Sequence, residues 1–214
     1  MALRSSVLNL GPLDNNTYLI VPEGGIEVAV VDVGFDPETV IQEIRKRGLE
    51  VRHLLNTHAH YDHAAGMRAV QAAVGGDYWL HVGDRPLLDR LSEQGALFGF
   101  PPATAPGSVH ELRDGMRIPL GKDELEVIAT PGHSPGGVSF RSGNELWVGD
   151  TLFAGSIGRT DLPGGSFATL EHSIHTRLFP LGDGVRVYPG HGPPTTIGRE
   201  RLENPFVGLR ARIV

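Results

Sequence analysis

The 214-residue chain contains no cysteine. That one absence excludes disulfide staples, zinc–thiolate sites, a cysteine nucleophile and a CxxC redox motif. Basic side chains are also in short supply, with 19 Lys and Arg against 25 Asp and Glu and a formal charge of −6. This is the wrong sign for a chain whose main business is a phosphate backbone, so no nucleic-acid partner is expected. No stretch approaches the roughly 18 uninterrupted apolar residues of a membrane span, and no membrane partner is expected either. Met1 to Leu10 carries a single basic residue, Arg4, and lacks an apolar core leading to a small-residue cleavage site, so the expected location is the cytoplasm. A globule of this size buries about 70 to 75% of its unfolded surface and needs no staples.

What the chain does have is 10 histidines, together with 29 Gly and 16 Pro scattered without a period as turn punctuation. Its first third reads as strands 16–21 and 27–33 joined by the hairpin signal Pro22-Glu23-Gly24-Gly25. A helix follows, capped by Asp36, opened by Pro37 and closed by Gly48, with Val40, Ile41 and Ile44 on its core face. Strand 51–55, helix 64–74, strand 78–82 and a short helix within 83–91 come next. Residues 98–108 form a long loop, suited to a lid or a substrate wall. The second half restarts strands at 116–120, 125–129, 138–141, 146–148 and 185–188. Its helices are 167–178, capped by Ser166, and 197–202. Nothing in this pattern divides the chain, so residues 1–214 are expected to form one domain with sheets inside and helices outside.

The sharpest feature is His58-Ala59-His60-Tyr61-Asp62-His63, directly after strand 51–55. On a helix, His58 and His60 would point about 200° apart, so the segment must be a loop rather than an HExxH-type helical site. In an extended loop these two share one side, while Asp62 and His63 sit where the next helix begins, an arrangement suited to two metal ions. Three further positions repeat one design, an apolar strand, a glycine and a ligand-type residue: Gly132-His133, Gly149-Asp150 and Gly190-His191. Glycine permits the sharp turn and close approach that drop a side chain inward from a strand end. His58, His60, Asp62, His63, His133, Asp150 and His191 thus form a nitrogen and oxygen donor set, for which Zn(II), Fe and Mn all fit. The other five histidines, His53, His81, His110, His172 and His175, have no such placement and are read as structural or surface residues.

The run Thr57 to His63, then Pro131-Gly132-His133-Ser134-Pro135-Gly136, Gly149-Asp150-Thr151-Leu152-Phe153 and Pro189-Gly190-His191-Gly192, resembles the metallo-β-lactamase superfamily in order and spacing. Gly155-Ser156-Ile157-Gly158-Arg159-Thr160-Asp161 and Glu200-Arg201-x-x-Asn204-Pro205-Phe206 are most similar to its short bacterial glyoxalase II (hydroxyacylglutathione hydrolase) branch. The resemblance implies an α/β (α+β) chain folded as a four-layer αββα sandwich. It places His58, His60 and His133 on a first metal, Asp62, His63 and His191 on a second, and Asp150 between them. Two divalent ions, with zinc first in order and iron or manganese as alternatives, would share a hydroxide that attacks a thioester such as S-lactoylglutathione. Asp62 would also orient that nucleophile, and Arg159 would contact the substrate. The partner implied is a small-molecule thioester of the glutathione type. Longer glyoxalase II enzymes add a C-terminal helical domain for glutathione, and only about 23 residues follow His191 here, so weaker or broader thioester recognition is expected.

The resemblance also admits persulfide dioxygenases of the same fold, which use one iron at the positions of His58, His133 and Asp150, and lactonases. A β-lactamase is disfavoured by the missing export signal and by Asp150, which stands where the one-thiolate type needs a cysteine. A nuclease is disfavoured by the acidic balance.

Overall fold

Alternation along the strands sorts their side chains to two faces, and three separate cores result. In the strand Asn15–Pro22, Leu19 and Val21 pack toward helices while Tyr18 and Ile20 turn the other way, toward a second sheet. The computed structural model describes residues 3–211. Its first half supplies β1 (Leu3–Leu10), β2 (Asn15–Pro22), β3 (Glu27–Val31), α1 (Pro37–Lys46), β4 (Glu50–Leu55), α2 (Tyr61–Ala64), α3 (Met67–Val74), β5 (Asp77–His81), α4 (Arg85–Leu88), α5 (Leu91–Leu97) and β6 (His110–Leu112). The second half supplies β7 (Arg117–Leu120), β8 (Asp123–Ala129), β9 (Val138–Ser142), β10 (Glu145–Gly149), β11 (Leu152–Phe153), β12 (Ser156–Ile157), α6 (Phe167–Ser173), β13 (Arg186–Pro189), β14 (Thr195–Thr196) and α7 (Ile197–Glu203).

The strands form two six-stranded sheets, ordered β1-β2-β3-β4-β5-β6 and β14-β13-β10-β9-β8-β7, and a small β11-β12 hairpin. Both sheets are mixed. β3 to β6 run parallel and β1 and β2 pair antiparallel at one edge, while β10 and β13 are the parallel pair of the second sheet. Between the sheets lie Ile20, Val31, Leu55, Val127, Phe140 and Trp147, all fully or almost fully buried. Outside the first sheet, Ile44 of α1 and Met67 and Val70 of α3 cover Val28, Val30 and Leu54. Outside the second, Leu170, Ile174, Leu178 and Ile197 cover Leu146, Val148 and Val187. Helix, sheet, sheet, helix is the four-layer αββα sandwich expected.

Several local expectations shift. Asp36 stands before α1 with φ 47°, but it does not cap the helix; its Oδ2 accepts from the Gly11 N–H at 3.1 Å and ties the helix start to the β1–β2 turn. The apolar run 64–74 is broken, because the Gly66 N–H donates to Val33 O between α2 and α3. The helix after Ser166 is capped by that side chain as expected, and at Ile174 it widens into a π-helical turn through Leu178. β1 and β6 lie where no strand was expected, His110 being part of β6. Both are edge strands, whose polar outer positions interrupt the alternation a sequence pattern depends on. Among the described residues, no helix is long and apolar enough to cross a membrane.

Candidate metal centre

Each expected ligand sits just beyond the C-terminal end of a strand: the 58–63 loop after β4, His133 after β8, Asp150 after β10 and His191 after β13. All of them converge on one edge of the sandwich. His133 Nε2 lies 2.8 Å from His60 Nδ1 and 3.2 Å from His58 Nε2. A second group forms beside the first, with His63 Nε2 and His191 Nε2 3.2 Å apart and Asp62 Oδ2 at 3.5 and 3.3 Å from them. Asp150 stands between the groups, its Oδ2 3.6 Å from His133 Nε2 and 3.5 Å from His191 Nε2, and its Oδ1 3.4 Å from His63 Nε2. Nitrogen ligands of a tetrahedral ion with bonds of about 2.0 to 2.1 Å stand roughly 3.3 Å from one another. The spacings observed within each group are close to that edge length.

The outward ring nitrogens decide which way the lone pairs face. His133 Nδ1 donates to Arg159 O at 2.7 Å, His191 Nδ1 to Leu13 O at 2.9 Å and His63 Nδ1 to Asp32 Oδ2 at 3.0 Å. A carbonyl or carboxylate oxygen only accepts, so each Nδ1 carries a proton and each Nε2 is the nitrogen left to face the centre as the metal donor. For His58 the same is done through a relay: its Nδ1 lies 3.0 Å from Thr57 Oγ1, which donates to Asp32 Oδ2 at 2.6 Å. Bare nitrogens meeting at such distances repel unless a cation lies among them. Asp150 Oδ1 is buried without a hydrogen-bond partner, which suits an oxygen placed to coordinate a cation. The residues present therefore fit a pair of divalent ions.

Electrostatics point the same way. Burial, reinforced by neighbouring imidazoles, holds His58 far below the usual histidine range and His60 down to about 3, so both are neutral donors. Burial works against a charged His63 too, yet the Asp150, Asp62 and Asp32 carboxylates outweigh it and push this imidazole up to about 10. His191 is likewise raised against its burial, by Asp62 and Asp150. Burial opposes ionisation of Asp62, but His63, His191 and the Asn15 amide prevail and hold it below the carboxylate range. The carboxylates thus demand positive charge, which protons supply in the metal-free protein.

Three residues absent from the expected set shape the centre. Asp32 is buried just past β3 with φ 55°, and its carboxylate takes the Thr57 N–H at 2.8 Å, the Thr57 hydroxyl, the Asn56 amide at 3.0 Å and His63 Nδ1. Although it lies near His58 and His63, its oxygens are taken up by these donors, so it orients ligands rather than binding metal. Asp84 ties two ligand loops together, accepting from Ala59 N at 2.9 Å, Ser134 Oγ at 2.8 Å and Gly136 N at 2.5 Å. Asn15 Nδ2 donates to Asp62 Oδ2 at 3.1 Å. For Asp32, the available signal was an aspartate directly after a β-branched strand, but its glycine, Gly34, follows it instead of preceding it, so the strand–glycine–ligand pattern passes it over. Asp84 lies in a tight turn after β5 and Asn15 opens β2, and neither carries such a mark.

Gly190 shows why glycine precedes a ligand here: a Cβ at this position would stand 2.2 Å from Asp150 Oδ1 and 2.6 Å from His63 Cε1. Arg159 lines the cavity over the centre, and its backbone carbonyl serves His133. Its guanidinium forms a two-pronged pair with Asp161, at 2.7 Å on both prongs, and is more than half exposed. The remaining histidines stay outside the cluster. His53 pairs with Pro119 O, His81 accepts from Gly83 N, His175 pairs with Val207 O, His110 faces Asp77 and His172 is exposed.

A sequence model of the Metallo-beta-lactamase superfamily matches residues 10–191. The chain is 36% identical over 188 residues to the hydroxyacylglutathione hydrolase GloC of Haemophilus influenzae, covering 86% of this chain and 88% of that one. Among solved structures, the BLEG-1 B3 metallo-β-lactamase is 37% identical with a TM-score of 0.88, over 95% of this chain and 99% of that one. TTHA1623, solved in a di-iron-bound form, is 37% identical with a TM-score of 0.87, over 94% of this chain and 99% of that one.

Proposed function

The chain belongs to the metallo-β-lactamase superfamily and is a divalent-metal hydrolase of that family; from this premise we propose that it cleaves thioesters, with S-lactoylglutathione as the reference substrate, at a two-metal centre. His58, His60 and His133 would hold one ion, Asp62, His63 and His191 the other, and Asp150 both. The observation that carries the reading is the pair of donor groups flanking Asp150, whose Oδ1 is buried, accepts no hydrogen bond and faces His63 Nε2 at 3.4 Å. The name of the Haemophilus relative supports the thioester, and the di-iron form of TTHA1623 supports a two-metal site.

When bound, the ions supply a Lewis acid for a carbonyl oxygen and make water nucleophilic at neutral pH. The chain's own residues do the rest. Asp32, Arg159 O and Leu13 O fix the imidazole tautomers, so that the donor lone pairs need no rearrangement. Asp62, oriented by Asn15, accepts a proton from the attacking water as its oxygen adds to the thioester carbonyl carbon. The C–S bond then breaks, and the same proton returns to the departing thiolate. Arg159 would offer its guanidinium to a substrate carboxylate, in exchange with Asp161.

Metal content by mass spectrometry and a hydrolysis panel test this together. About two metals per chain with thiol release from S-lactoylglutathione are expected. One iron per chain with oxygen uptake on glutathione persulfide would replace the reading with the dioxygenase one. Turnover confined to β-lactams or lactones would replace the substrate and keep the metal centre.

A further inference from the structure

Above the metal centre opens a cavity of about 380 Å³. Beyond the ligands, it is walled by Leu13, Tyr61, Phe98, Phe100, Leu162 and Arg159. Gln94 also borders it, but its amide is spent on backbone, donating to Ala59 O and Leu87 O and accepting from Tyr61 N. Arg159 is the one lysine or arginine among the described lining residues, and Asp161 already occupies its fork. What the wall offers a substrate away from the metals is apolar surface.

That surface is built into the fold. Tyr61 and Phe100 stack with centroids 5.4 Å apart and planes 17° from parallel, and Phe35 backs Phe100 edge-on at 4.9 Å. The Tyr61 hydroxyl donates to Pro101 O at 2.8 Å, anchoring the loop after α5. α5 approaches this ring so closely that a Cβ on Gly95 would lie 2.6 Å from Tyr61 Cε2. Tyr61 is the chain neighbour of both His60 and Asp62, so wall and reaction centre share one rigid piece of backbone. Phe98 at the rim remains 58% exposed, with apolar area left to cover.

Taking the thioester reading as given, we propose that the acyl half of the substrate carries an aromatic or branched aliphatic group, seated on the wall of Tyr61, Phe98 and Phe100 and completed by Leu13 and Leu162. A lactoyl hydroxyl placed there gives up water and gains no partner. An apolar group gains burial against the Tyr61 and Phe100 rings, already fixed in place, and covers the exposed face of Phe98. Arg159 serves a carboxylate of the thiol carrier only in exchange with Asp161.

The test holds the carrier constant and varies the acyl group. S-phenylacetylglutathione and S-lactoylglutathione are compared on the metal-loaded protein and on its Phe98→Ala and Phe100→Ala variants. A kcat/KM at least about tenfold higher for phenylacetyl is expected, lying mainly in KM, as is the loss of most of that ratio in either variant. Equal or better use of the lactoyl ester, or a ratio untouched by both variants, overturns the proposal. If neither ester is hydrolysed, the thioester reading fails, and calorimetric binding still decides the wall. S-(2-phenylethyl)glutathione binding about tenfold more tightly than S-(2-hydroxypropyl)glutathione, with the difference lost in Phe98→Ala, supports the apolar seat. Equal binding of the two thioethers overturns it.

Discussion

Asp32→Asn isolates the work of a carboxylate that binds no metal. The substitution keeps shape and volume, and the amide oxygen can still accept from Thr57 N and the Asn56 amide, as Asp32 Oδ1 does at 2.8 and 3.0 Å. The other oxygen becomes an NH2 group facing His63 Nδ1 at 3.0 Å and the Thr57 hydroxyl at 2.6 Å. Thr57 can rotate its proton away. His63 cannot, and donor meets donor unless the ring moves its proton to Nε2, the nitrogen that faces the metal centre. Loss of such a partner to a ligating histidine lowers metal affinity about 10- to 100-fold, roughly 1.4 to 2.7 kcal/mol. The weakening should fall on the His63 group first, leaving the group around His133 to fill. A chelator-competition titration reading two binding steps, alongside thermal unfolding of the metal-free protein, makes the measurement. Unchanged affinity in both steps, in a variant that folds normally, would refute the account of Asp32 and with it the tautomer argument for the whole centre.

Other outcomes follow from the same geometry. His58→Ala and Asp150→Ala should abolish turnover and lower the metal-to-protein ratio, whereas His172→Ala, on an exposed helix face, should change neither. Gly190→Ala drives a methyl into Asp150 and His63, so metal content should fall while the circular dichroism spectrum stays that of the folded chain. Because His63 is pushed up to about 10 in the metal-free protein, it holds a proton at neutral pH that a bound ion must displace, and His191 is shifted in the same direction. Metal uptake should therefore release protons, and apparent affinity should fall as pH falls, read by calorimetry in buffers of different ionisation enthalpy. Phe140→Ala empties a fully buried site between the sheets and should cost about 3 to 5 kcal/mol in denaturant unfolding.

The sandwich, and the residues that meet at its edge, were legible in the sequence because both leave short-range marks. An apolar strand followed by glycine and then histidine or aspartate fixes where a side chain can go, and the Cβ conflict at Gly190 is the physical content of that mark. Helix ends were less legible. Asp36 looks like a cap, but a contact from Gly11, 25 residues earlier, takes its carboxylate and its backbone goes left-handed. The residues that orient ligands were hidden for a related reason. Asp84 acts on Ala59, Ser134 and Gly136, partners 25 to 52 positions away that no local spacing encodes. Arg159 was expected as a substrate contact and stands in the cavity wall; that its backbone carbonyl orients His133 was not legible.

The placement of the two donor groups has a consequence for the scaffold. Each draws on both sheets: His58 and His60 follow β4 of the first and His133 follows β8 of the second, while Asp62 and His63 lie in α2 directly after that first loop and His191 follows β13. Sliding one sheet over the other would therefore pull both groups apart at once. Contacts between the sheets resist this at the very edge where the ligands lie. The Val138 N–H donates to Thr57 O at 2.9 Å, Tyr18 OH to Pro189 O at 2.7 Å and the Asn16 amide to Pro189 O at 3.1 Å. Further in, Trp147 stacks on Tyr188, and Tyr188 meets Tyr18 edge-on across the sheets. The centre is thus held in shape by protein contacts, and ions binding across it add cross-links between layers already in register. Stabilisation by metal then follows mass action on a preformed site, growing with free-metal concentration over the dissociation constant, rather than metal-driven folding.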